Sequence, residues 1–317
     1  MKIVITGAGG FAGRWLTQEL EGAGHQVVGP VGHAALDVTD AGAVLAALSD
    51  AAPQAVAHLA TMAYAPDART DPARAFQVAV GGTVNVMEAV RTLSPSPGVL
   101  VIGSSEVYGA PAPEALPLTE DSVLAPRTPY ALSKIGQEGA ALAYGARYGM
   151  RLAVARSFNH SGPGQRPEFV VPAFAHRVLA VRHGAEKRLR VGNVDVRRDF
   201  TDVRDTVRAY RLLLEWLAGQ PIRPGIQAVY NVASGRSVAI RWLLEELCRL
   251  AGVSADFVVD SDLVRSDDPP DIRGDATRLE ALTGWRPERP LEQMLADVWT
   301  EVSATGAATG AAGTSAR

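Results

Sequence analysis

Cysteine is almost absent from this chain, in which Cys248 is the single one among 317 residues. A lone cysteine excludes a disulfide framework within the chain. Positive charge is not in excess either, because the formal net charge is −3. Proteins that bind nucleic acid or anionic membranes through a broad basic field have the opposite balance. The composition therefore predicts neither kind of partner.

Long apolar runs are also missing. No stretch reaches the roughly 20 residues that a membrane-spanning helix needs. The opening MKIVITGAGG leads straight into a strand and a glycine turn, without the layout of a signal peptide. What is present is ordinary globular composition, with 47% hydrophobic and 21% charged residues. We expect a cytoplasmic protein with a sizeable core, in one large or two modest domains.

Short β-branched segments alternate with longer helical patterns up to about residue 160. The segments KIVIT, HQVV, AVAHLA and GVLVI are each followed by a helix-like stretch. This alternation predicts a parallel sheet covered by helices on both faces. We place this α/β domain at residues 1–165 and expect the chain to return to it within 193–235. Residues 166–302 would form mainly a smaller α/β region, and the Ala-, Gly-, Ser- and Thr-rich residues 303–317 a flexible tail.

A glycine-rich turn, TGAGGFAG, follows the first predicted strand and opens the first predicted helix. Gly7, Gly10 and Gly13 have the G-x-x-G-x-x-G spacing that allows a tight turn and close approach of the backbone to a pyrophosphate. The alternative is a plain strand-to-helix turn that happens to be rich in glycine. Because the turn lies between an N-terminal strand and a helix, we predict a nicotinamide dinucleotide site there.

The end of the second predicted strand lacks an acidic residue. Sites for NAD(H) usually carry a carboxylate there, which bonds the ribose hydroxyls, but residues 29–33 read GPVGH. Without that carboxylate a 2′-phosphate is not repelled, so we favour NADP(H) over NAD(H), with Arg14 and His33 as candidate phosphate contacts. Asp37 lies too far along the chain for the ribose role, and it would either contact adenine or cap the following helix.

The segment PYALSK places Tyr130 and Lys134 four residues apart, on one face of a helix. A free tyrosine has a pKa of about 10, and a neighbouring ammonium would lower that pKa and make the phenol a better acid–base group. The alternative is a solvent-facing pair without chemistry. Ser104 and Ser105 follow the strand GVLVI, where parallel sheets place active-site hydroxyls, unless they only form a strand-end turn.

Five motifs occur in order: TGAGGFAG, HLA at residues 58–60, GSSEVYG at 103–109, PYALSK at 129–134 and RDFTDVRD at 198–205. Together they resemble the extended short-chain dehydrogenase/reductases that act on nucleotide sugars. The segments SFNHSGPGQ, FVVP and YNVASGRSVAI are most similar to the GDP-4-keto-6-deoxy-D-mannose reductases, which are relatives of the GDP-mannose 4,6-dehydratases. The resemblance implies a Rossmann-type doubly wound parallel sheet with a smaller α/β C-terminal region that binds substrate.

The resemblance also implies a reaction. It is the NAD(P)H-dependent reduction of the C4 keto group of a GDP-4-keto-6-deoxy-hexose, giving GDP-D-rhamnose or its C4 epimer GDP-6-deoxy-D-talose. Tyr130 would exchange a proton with the sugar oxygen, and Lys134 would also hold the nicotinamide ribose. Ser104 matches the position of the family's catalytic Ser or Thr, and Ser105 is the next residue along the chain. Glu106 matches a glutamate that moves the C5 proton in the dehydratases, but reductases share it, so it does not decide the reaction.

Further residues match family positions that bind ligands. For the cofactor they are Gly7, Gly10, Phe11, Ala12, Gly13, Asp37, Val38, Leu59 and Ala60, besides Tyr130 and Lys134. For the GDP-sugar they are Ser105, Glu106, Asn159, Val170, Arg198 and Arg265. The chain departs from the family pattern at Ala79, where N-V-x-G-T has its asparagine, and at Ser266, which replaces a proline after Arg265. We predict no metal site.

Two other functions stay open. A nucleotide-sugar 4,6-dehydratase or 4-epimerase would recycle its bound cofactor and show no net consumption of NADPH. A non-catalytic NADP-sensing regulator would use the same fold without chemistry, although such relatives typically lose the tyrosine–lysine pair. By analogy with the family we expect a homodimer, packed as a four-helix bundle through the helices around residues 74–91 and 129–148.

Overall fold

The structure is a computed structural model that describes residues 1–29, 36–220, 227–264 and 268–313. Its strands are β1 (Lys2–Thr6), β2 (Gln26–Val28), β3 (Ala55–His58), β4 (Gly98–Ile102), β5 (Leu152–Ser157), β6 (Asn159–Ser161), β7 (Leu189–Val191), β8 (Arg197–Asp202), β9 (Gln227–Val232), β10 (Ser237–Ala239), β11 (Phe257–Val259) and β12 (Asp271–Ile272). Its α-helices are α1 (Phe11–Gly22), α2 (Ala41–Ala51), α3 (Ala65–Thr70), α4 (Pro72–Phe76), α5 (Gly82–Thr92), α6 (Pro129–Tyr148), α7 (Val170–Arg182), α8 (Val203–Gly219), α9 (Ile240–Ala251), α10 (Thr277–Thr283) and α11 (Leu291–Gly313). A π-helical turn, Gln77–Gly81, joins α4 to α5, and short 3-10 helices lie at Ser105–Tyr108, Pro113–Ala115 and Ser261–Leu263. None of the helices in these ranges combines the length and the apolar composition that a membrane span requires.

Six parallel strands form the main sheet, in the order β2-β1-β3-β4-β5-β9. Every residue of β3 and of β5 is buried, as expected of strands whose two faces are both covered by helices. Helices α1 and α8 pack on one face, and α2, α5 and α6 pack on the other. The predicted doubly wound, Rossmann-type fold is confirmed.

The strand order changes direction at β1, which is followed in the chain by β2 on one side and then by β3 on the other. Such a switch point opens a crevice at the carboxyl ends of the strands, where α/β proteins bind nucleotides. The glycine turn follows β1 at this point, and Ser104 and Ser105 follow β4 at the same edge. The topology therefore gathers at one edge motifs that lie far apart in the sequence.

A smaller α/β region is built from the later elements. Strand β8 pairs with β6, β10 and β12, and β7 pairs with β11. Helices α7, α9 and α11 enclose a separate hydrophobic core. Between these elements the chain crosses back to the main sheet through α8 and β9, which lie inside the segment 193–235 where a return was expected.

Asp199 of β8 links the two parts. Its buried carboxylate accepts hydrogen bonds from Ser234 N (2.8 Å), Ser234 Oγ (2.6 Å), Gly235 N (3.0 Å) and Gly274 N (3.1 Å). Ser234 and Gly235 follow β9 of the main sheet, whereas Gly274 follows β12. Burial raises the pKa of Asp199 to about 6 although these donors favour the ionised form. The group is mostly ionised at neutral pH, and one carboxylate thus fixes the smaller sheet beside the main one.

The last helix continues well past the point where a flexible tail was predicted. Helix α11 extends to Gly313, so residues 303–313 are helical where a flexible tail was expected. The prediction of a tail rests on the lack of large apolar side chains in this segment. Its alanines, however, favour a helix, and a helix already started by packed residues such as Met294 and Val298 extends without a new nucleation step.

Candidate active site

The glycine turn between β1 and α1 lies against the loop that follows β3. Gly7 has φ +77°, which favours glycine, and a Cβ added to it would lie 2.9 Å from the amide nitrogen of Ala60. A Cβ on Gly13 would lie 2.3 Å from Gly7 O. Gly10, the N-cap of α1, has no side chain to cap the first amides of the helix, which leaves them for an anion. Close packing of the turn therefore requires glycine at positions 7 and 13.

A buried chain of hydrogen bonds supports this turn. The Thr83 hydroxyl donates to Ala79 O (2.6 Å), so it accepts from His58 Nε2 (2.9 Å), and His58 Nδ1 accepts from the Thr6 hydroxyl (2.7 Å). Thr6 Oγ1 accepts in turn from Ala60 N (3.3 Å). Burial lowers the pKa of His58 to about 3, so the imidazole is neutral, as this pattern of donors requires. The chain ties the ends of β1 and β3 to α5 and holds Ala60 in place.

The first residues of α1 face the smaller region. The Phe11 ring stacks on His160 of β6, with ring centroids 6.2 Å apart and planes 7° apart. Ala12 is half-buried beside it. The predicted cofactor residue Phe11 thus lies where α1 meets the smaller region, and Ala12 packs on the core of the main sheet.

Arg14 braces the glycine turn from the same helix. Its guanidinium donates to Gly9 O (2.8 Å) and to Gly164 O (2.9 Å). A contact with a 2′-phosphate would therefore compete with two backbone carbonyls. His33, the other candidate for that contact, lies outside the described residues.

Asp37 forms a local turn and not a helix cap. Its Oδ1 accepts from Thr39 N (2.9 Å) and Thr39 Oγ1 (2.8 Å), and its Oδ2 lies 3.3 Å from Arg74 Nη2. These contacts, the bond from the Thr39 amide first, hold the pKa of Asp37 below its ordinary value. Helix α2 is capped by Asp40, whose carboxylate accepts from Ala43 N (3.0 Å). The alternative in which Asp37 caps this helix is wrong.

Val38 and Leu59 lie in different loops of the α/β domain. The Val38 side chain is buried against Gly82 of α5, and its carbonyl accepts from Asn85 Nδ2 (2.9 Å). Leu59, half-buried, follows β3 and donates its amide to Thr6 O (3.1 Å). Val38 therefore anchors its loop on α5, while Leu59 continues the edge of the main sheet.

Tyr130 lies in the first turn of α6, next to the end of β4. Thr128 caps the helix by accepting from Ala131 N (3.0 Å). Tyr130 is 8% exposed, and the Ser104 side chain is among the groups that act on the pKa of its phenol. Burial raises the pKa of Tyr130, the negative charge of Glu106 raises it further, and the Ser104 side chain opposes both. The structure thus brings together the predicted acid and the predicted catalytic hydroxyl.

Lys134 lies one turn further along α6 and is 2% exposed. Its Nζ donates to Ile102 O (2.8 Å) and to Gln137 Oε1 (2.7 Å), and it lies 6.0 Å from the centroid of the Tyr130 ring. Burial lowers the pKa of Lys134 to about 7. The predicted fall in the Tyr130 pKa is not found, because burial and the charge of Glu106 act in the opposite direction.

Ser105 and Glu106 belong to the 3-10 helix after β4. Ser104 caps this helix by accepting from Glu106 N (3.2 Å). Ser105 is buried, whereas Glu106 is exposed and its Oε2 accepts from Thr128 Oγ1 (3.4 Å). The Glu106 carboxylate therefore stands on the solvent side of the site.

The predicted sugar-nucleotide residues of the smaller region are spread over several elements. Asn159 is exposed in β6, and Val170 is the first residue of α7. Arg198 of β8 is largely buried and pairs with Asp268. A diphosphate would have to share Arg198 with that carboxylate. Arg265 lies outside the described residues.

Comparison with known proteins shows the family of this chain. The sequence profile of the GDP-mannose 4,6-dehydratase family matches residues 31–298. The chain belongs to this family. It is 39% identical over 297 residues to GDP-6-deoxy-D-mannose reductase of Pseudomonas aeruginosa, a match that covers 93% of this chain and 94% of that protein. It is 28% identical over 287 residues to GDP-6-deoxy-D-talose 4-dehydrogenase of Aggregatibacter actinomycetemcomitans, covering 90% and 92%.

Solved structures of related enzymes have the same fold. The structure of RMD from Pseudomonas aeruginosa complexed with NADPH superposes with a TM-score of 0.86 at 36% identity, covering 96% of this chain and 99% of that one. UDP-glucose 4-epimerase from Brucella ovis in complex with NAD superposes with a TM-score of 0.82 at 25% identity, covering 95% and 98%. The resemblance to extended short-chain dehydrogenase/reductases is confirmed.

This member of the GDP-mannose 4,6-dehydratase family departs from the usual asparagine at Ala79. The residue lies in the π-helical turn between α4 and α5 and is fully buried. Its backbone carbonyl accepts the hydrogen bond from the Thr83 hydroxyl, and any residue at this position would supply that carbonyl. Ser266, the other departure, lies outside the described residues.

Four buried polar residues outside the predicted site hold α6 on the main sheet. Arg156 of β5 donates to Glu138 through Nε (3.0 Å) and Nη2 (2.5 Å), and to Tyr108 Oη through Nη1 (2.9 Å). Tyr108 donates to Asn231 Oδ1 (2.6 Å). Glu138 follows Lys134 by one helical turn, and this spacing is the one signal in the sequence that could have pointed to it.

Replacing Gly13 with alanine is expected to weaken NADPH binding by about tenfold or more, equivalent to ~1.4 kcal/mol. The added Cβ would lie 2.3 Å from Gly7 O and 2.7 Å from Ala8 Cα, so the turn itself would have to move. The fluorescence of bound NADPH measures the affinity.

Gly22→Ala is the control for that change. Gly22 lies in the same helix, and no heavy atom is within 4 Å of its added Cβ. We expect unchanged NADPH binding and a free energy of unfolding raised by up to about 1 kcal/mol. A folded Gly13→Ala protein with the affinity of the wild type would show that the turn does not hold the cofactor.

Proposed function

We propose that this protein uses a nicotinamide dinucleotide to reduce the C4 keto group of a GDP-4-keto-6-deoxy-hexose to GDP-D-rhamnose or its C4 epimer, GDP-6-deoxy-D-talose. The observation that carries the proposal is the burial of Tyr130 next to Ser104, at the carboxyl end of β4, with Lys134 one turn away on the same helix. The identity to GDP-6-deoxy-D-mannose reductase favours this substrate class. The similarity to GDP-6-deoxy-D-talose 4-dehydrogenase keeps the epimer open.

The chain's own groups supply the acid and the orientation. The glycine turn, the loop at Ala60 and Lys134 would hold the dinucleotide, which when bound supplies hydride to C4. Tyr130 Oη donates its proton to the C4 oxygen as negative charge develops there, and Ser104 Oγ hydrogen-bonds the same oxygen and orients it. Because the pKa of Tyr130 is raised, the phenol is protonated at neutral pH. This is the state that a reduction needs at its start.

A 4,6-dehydratase is the second candidate. The exposed carboxylate of Glu106 lies beside the site and acts on Tyr130 through its charge. In this alternative its role would be to take a proton from a bound sugar, as water elimination requires. A dehydratase returns the hydride to its product, so net oxidation of NADPH separates the two reactions. The burial of both Tyr130 and Lys134 argues against a regulator without chemistry.

Tyr130→Phe is expected to slow NADPH-dependent turnover of enzymatically made GDP-4-keto-6-deoxy-D-mannose by about 10²–10⁴-fold. The change removes the donating hydroxyl and keeps the ring, so NADPH binding should persist. The loss of NADPH absorbance follows the reaction, and proton NMR of the product assigns the configuration at C4.

Tyr148→Phe is the matched control, because Tyr148 is an exposed tyrosine on the same helix. We expect it to leave turnover unchanged. Full activity in a folded Tyr130→Phe protein would overturn the assignment of the acid. A wild type that dehydrates GDP-mannose and consumes no NADPH would support the second candidate.

We further propose that the cofactor is NADP(H) and not NAD(H). The proposal rests on the missing carboxylate at residues 29–33 and on the NADPH bound to the Pseudomonas enzyme. A carboxylate at the end of the second strand would repel a 2′-phosphate, and residues 29–33 contain none.

The ratio of kcat/KM for NADPH to that for NADH is expected to be about ten or more, equivalent to ~1.4 kcal/mol from the 2′-phosphate. For the same reason, 2′-phospho-AMP should compete with NADPH more strongly than AMP does. Equal inhibition by the two nucleotides would contradict the preference.

We propose a homodimer formed through the helices around 74–91 and 129–148. The outward face of α6 carries the exposed apolar Leu132 and, further along the helix, the small residues Gly139, Ala140 and Ala143. Small side chains allow two helices to approach closely. The partner would be a second copy of this chain. The cytoplasmic location stays a prediction.

Ala143→Arg is expected to convert the dimer to a monomer in size-exclusion chromatography with light scattering, because a long cation would separate the facing helices. Ala46→Arg, an exposed site on α2, is the control and should leave the mass unchanged. A wild type that runs as a monomer, or an Ala143→Arg protein that stays dimeric, would rule out this interface.

A further inference from the structure

We propose that Gln137 is a positioning residue that holds the ammonium of Lys134 in place for catalysis by means of a neutral acceptor. The inference rests on the proposed function of Tyr130 and Lys134. Gln137 follows Lys134 by three residues on α6 and so lies on the same face of the helix. It is 1% exposed, and its Oε1 accepts from Lys134 Nζ at 2.7 Å.

The bonds around Nζ show what this acceptor contributes. An ammonium has three N–H donors. Ile102 O at 2.8 Å and Gln137 Oε1 take two of them, which leaves one for a bound partner. Lysine is a compact charge on a flexible four-carbon stem, so one protein acceptor alone would let Nζ swing about Ile102 O. Two acceptors fix both the position of Nζ and the direction of its remaining donor.

The other end of the amide shows that packing does not explain this residue. Gln137 Nε2 is buried and has no hydrogen-bond partner within the part of the chain that the structure describes. Rotating the amide by half a turn would aim Nε2 at Nζ and set two donors against each other. An amide buried with one end unpaired costs free energy that an apolar side chain of similar size would avoid. The acceptor offered to Lys134 is the contact that accounts for a glutamine here.

The neutrality of the acceptor matters as much as its position. At the next residue, Glu138 pairs with Arg156 and the two charges cancel. A carboxylate at position 137 would likewise cancel the charge of Lys134, which is needed to stabilise the phenolate left on Tyr130. An amide oxygen holds the ammonium and leaves its charge uncompensated.

Other titratable groups surround the Tyr130–Lys134 pair: His58 of β3, Glu106 after β4, Tyr210 of α8, and Glu138 of α6 with its partner Arg156. His58 is neutral, because burial and then the charge of Lys134 lower its pKa to about 3. Glu106 and Tyr210 act on Tyr130 by raising its pKa. These groups do not change between Gln137→Met and Gln137→Glu. They therefore cannot cause shifts of opposite sign in the pH profiles of the two variants.

Two substitutions at this position separate the roles of charge and packing. Gln137→Met keeps the length and removes the acceptor, so Lys134 should lose its proton at lower pH, and the alkaline fall in kcat/KM for NADPH oxidation should move down by about one pH unit. Gln137→Glu adds a carboxylate, and the same fall should move up by about one pH unit. Should Gln137→Met not fold, Gln137→Asn replaces it, because its shorter amide cannot reach Nζ.

Ser133→Ala is the control for disturbance of the buried face of α6. The Ser133 hydroxyl is buried and donates to Tyr130 O within its own helix (2.8 Å). We expect a lower melting temperature at most and an unchanged pH profile. Shifts of opposite sign in the Met and Glu variants support the proposal. Profiles that coincide with the wild type, or that move in one direction in both variants, overturn it.

Failure of the proposed reaction is distinguishable from failure of this inference. The pH dependence of NADPH affinity, measured by fluorescence without any sugar nucleotide, also reports the charge of Lys134. The pH at which this affinity falls should move down in Gln137→Met and up in Gln137→Glu. If the wild type does not oxidise NADPH with GDP-4-keto-6-deoxy-D-mannose, the proposed function fails, while this binding measurement still decides the role of Gln137.

Discussion

The buried ion pair between Arg156 and Glu138 fixes helix α6 on the main sheet, and the geometry of the site depends on that placement. The two side chains are 5% and 6% exposed, with Arg156 Nη2 2.5 Å from Glu138 Oε1. Removing one partner of such a pair costs about 3–5 kcal/mol, because the other charge is left buried and unpaired. Lys134 and Tyr130 lie one and two turns before Glu138 on this helix. Any movement at the pair would therefore displace both from the end of β4.

Burial is the main influence on the protonation states of Tyr130 and Lys134. It disfavours the charged forms of both Tyr130 and Lys134, which is why the pKa of the first is raised and that of the second lowered to about 7. When the phenol gives up its proton, the negative charge appears beside the ammonium in a region of low dielectric, where their attraction is strong. That attraction is absent while Tyr130 is neutral. It therefore acts on the transition state more than on the ground state, as catalysis requires.

The features that could be predicted from the sequence are those set by local geometry. The glycine turn, the one-turn spacing of Tyr130 and Lys134 and the alternation of strands and helices depend on neighbouring residues only. Thr6 and His58, by contrast, meet across 52 positions, and Arg198 meets Asp268 across 70. Such contacts follow from strand order and register, which no single motif contains. The direction of the Tyr130 pKa was missed for a related reason, because spacing along a helix does not reveal burial.

The alanine at position 79 shows how a departure from the family pattern can leave the site intact. The hydrogen-bond chain behind the glycine turn has a fixed direction, from Ala60 N through Thr6, His58 and Thr83 to Ala79 O. Its last acceptor is a backbone carbonyl, which every residue at this position supplies. A side-chain amide at position 79 is therefore not needed to complete the chain. The support that holds Ala60 against the glycine turn depends on the π-helical backbone and not on the asparagine that is missing.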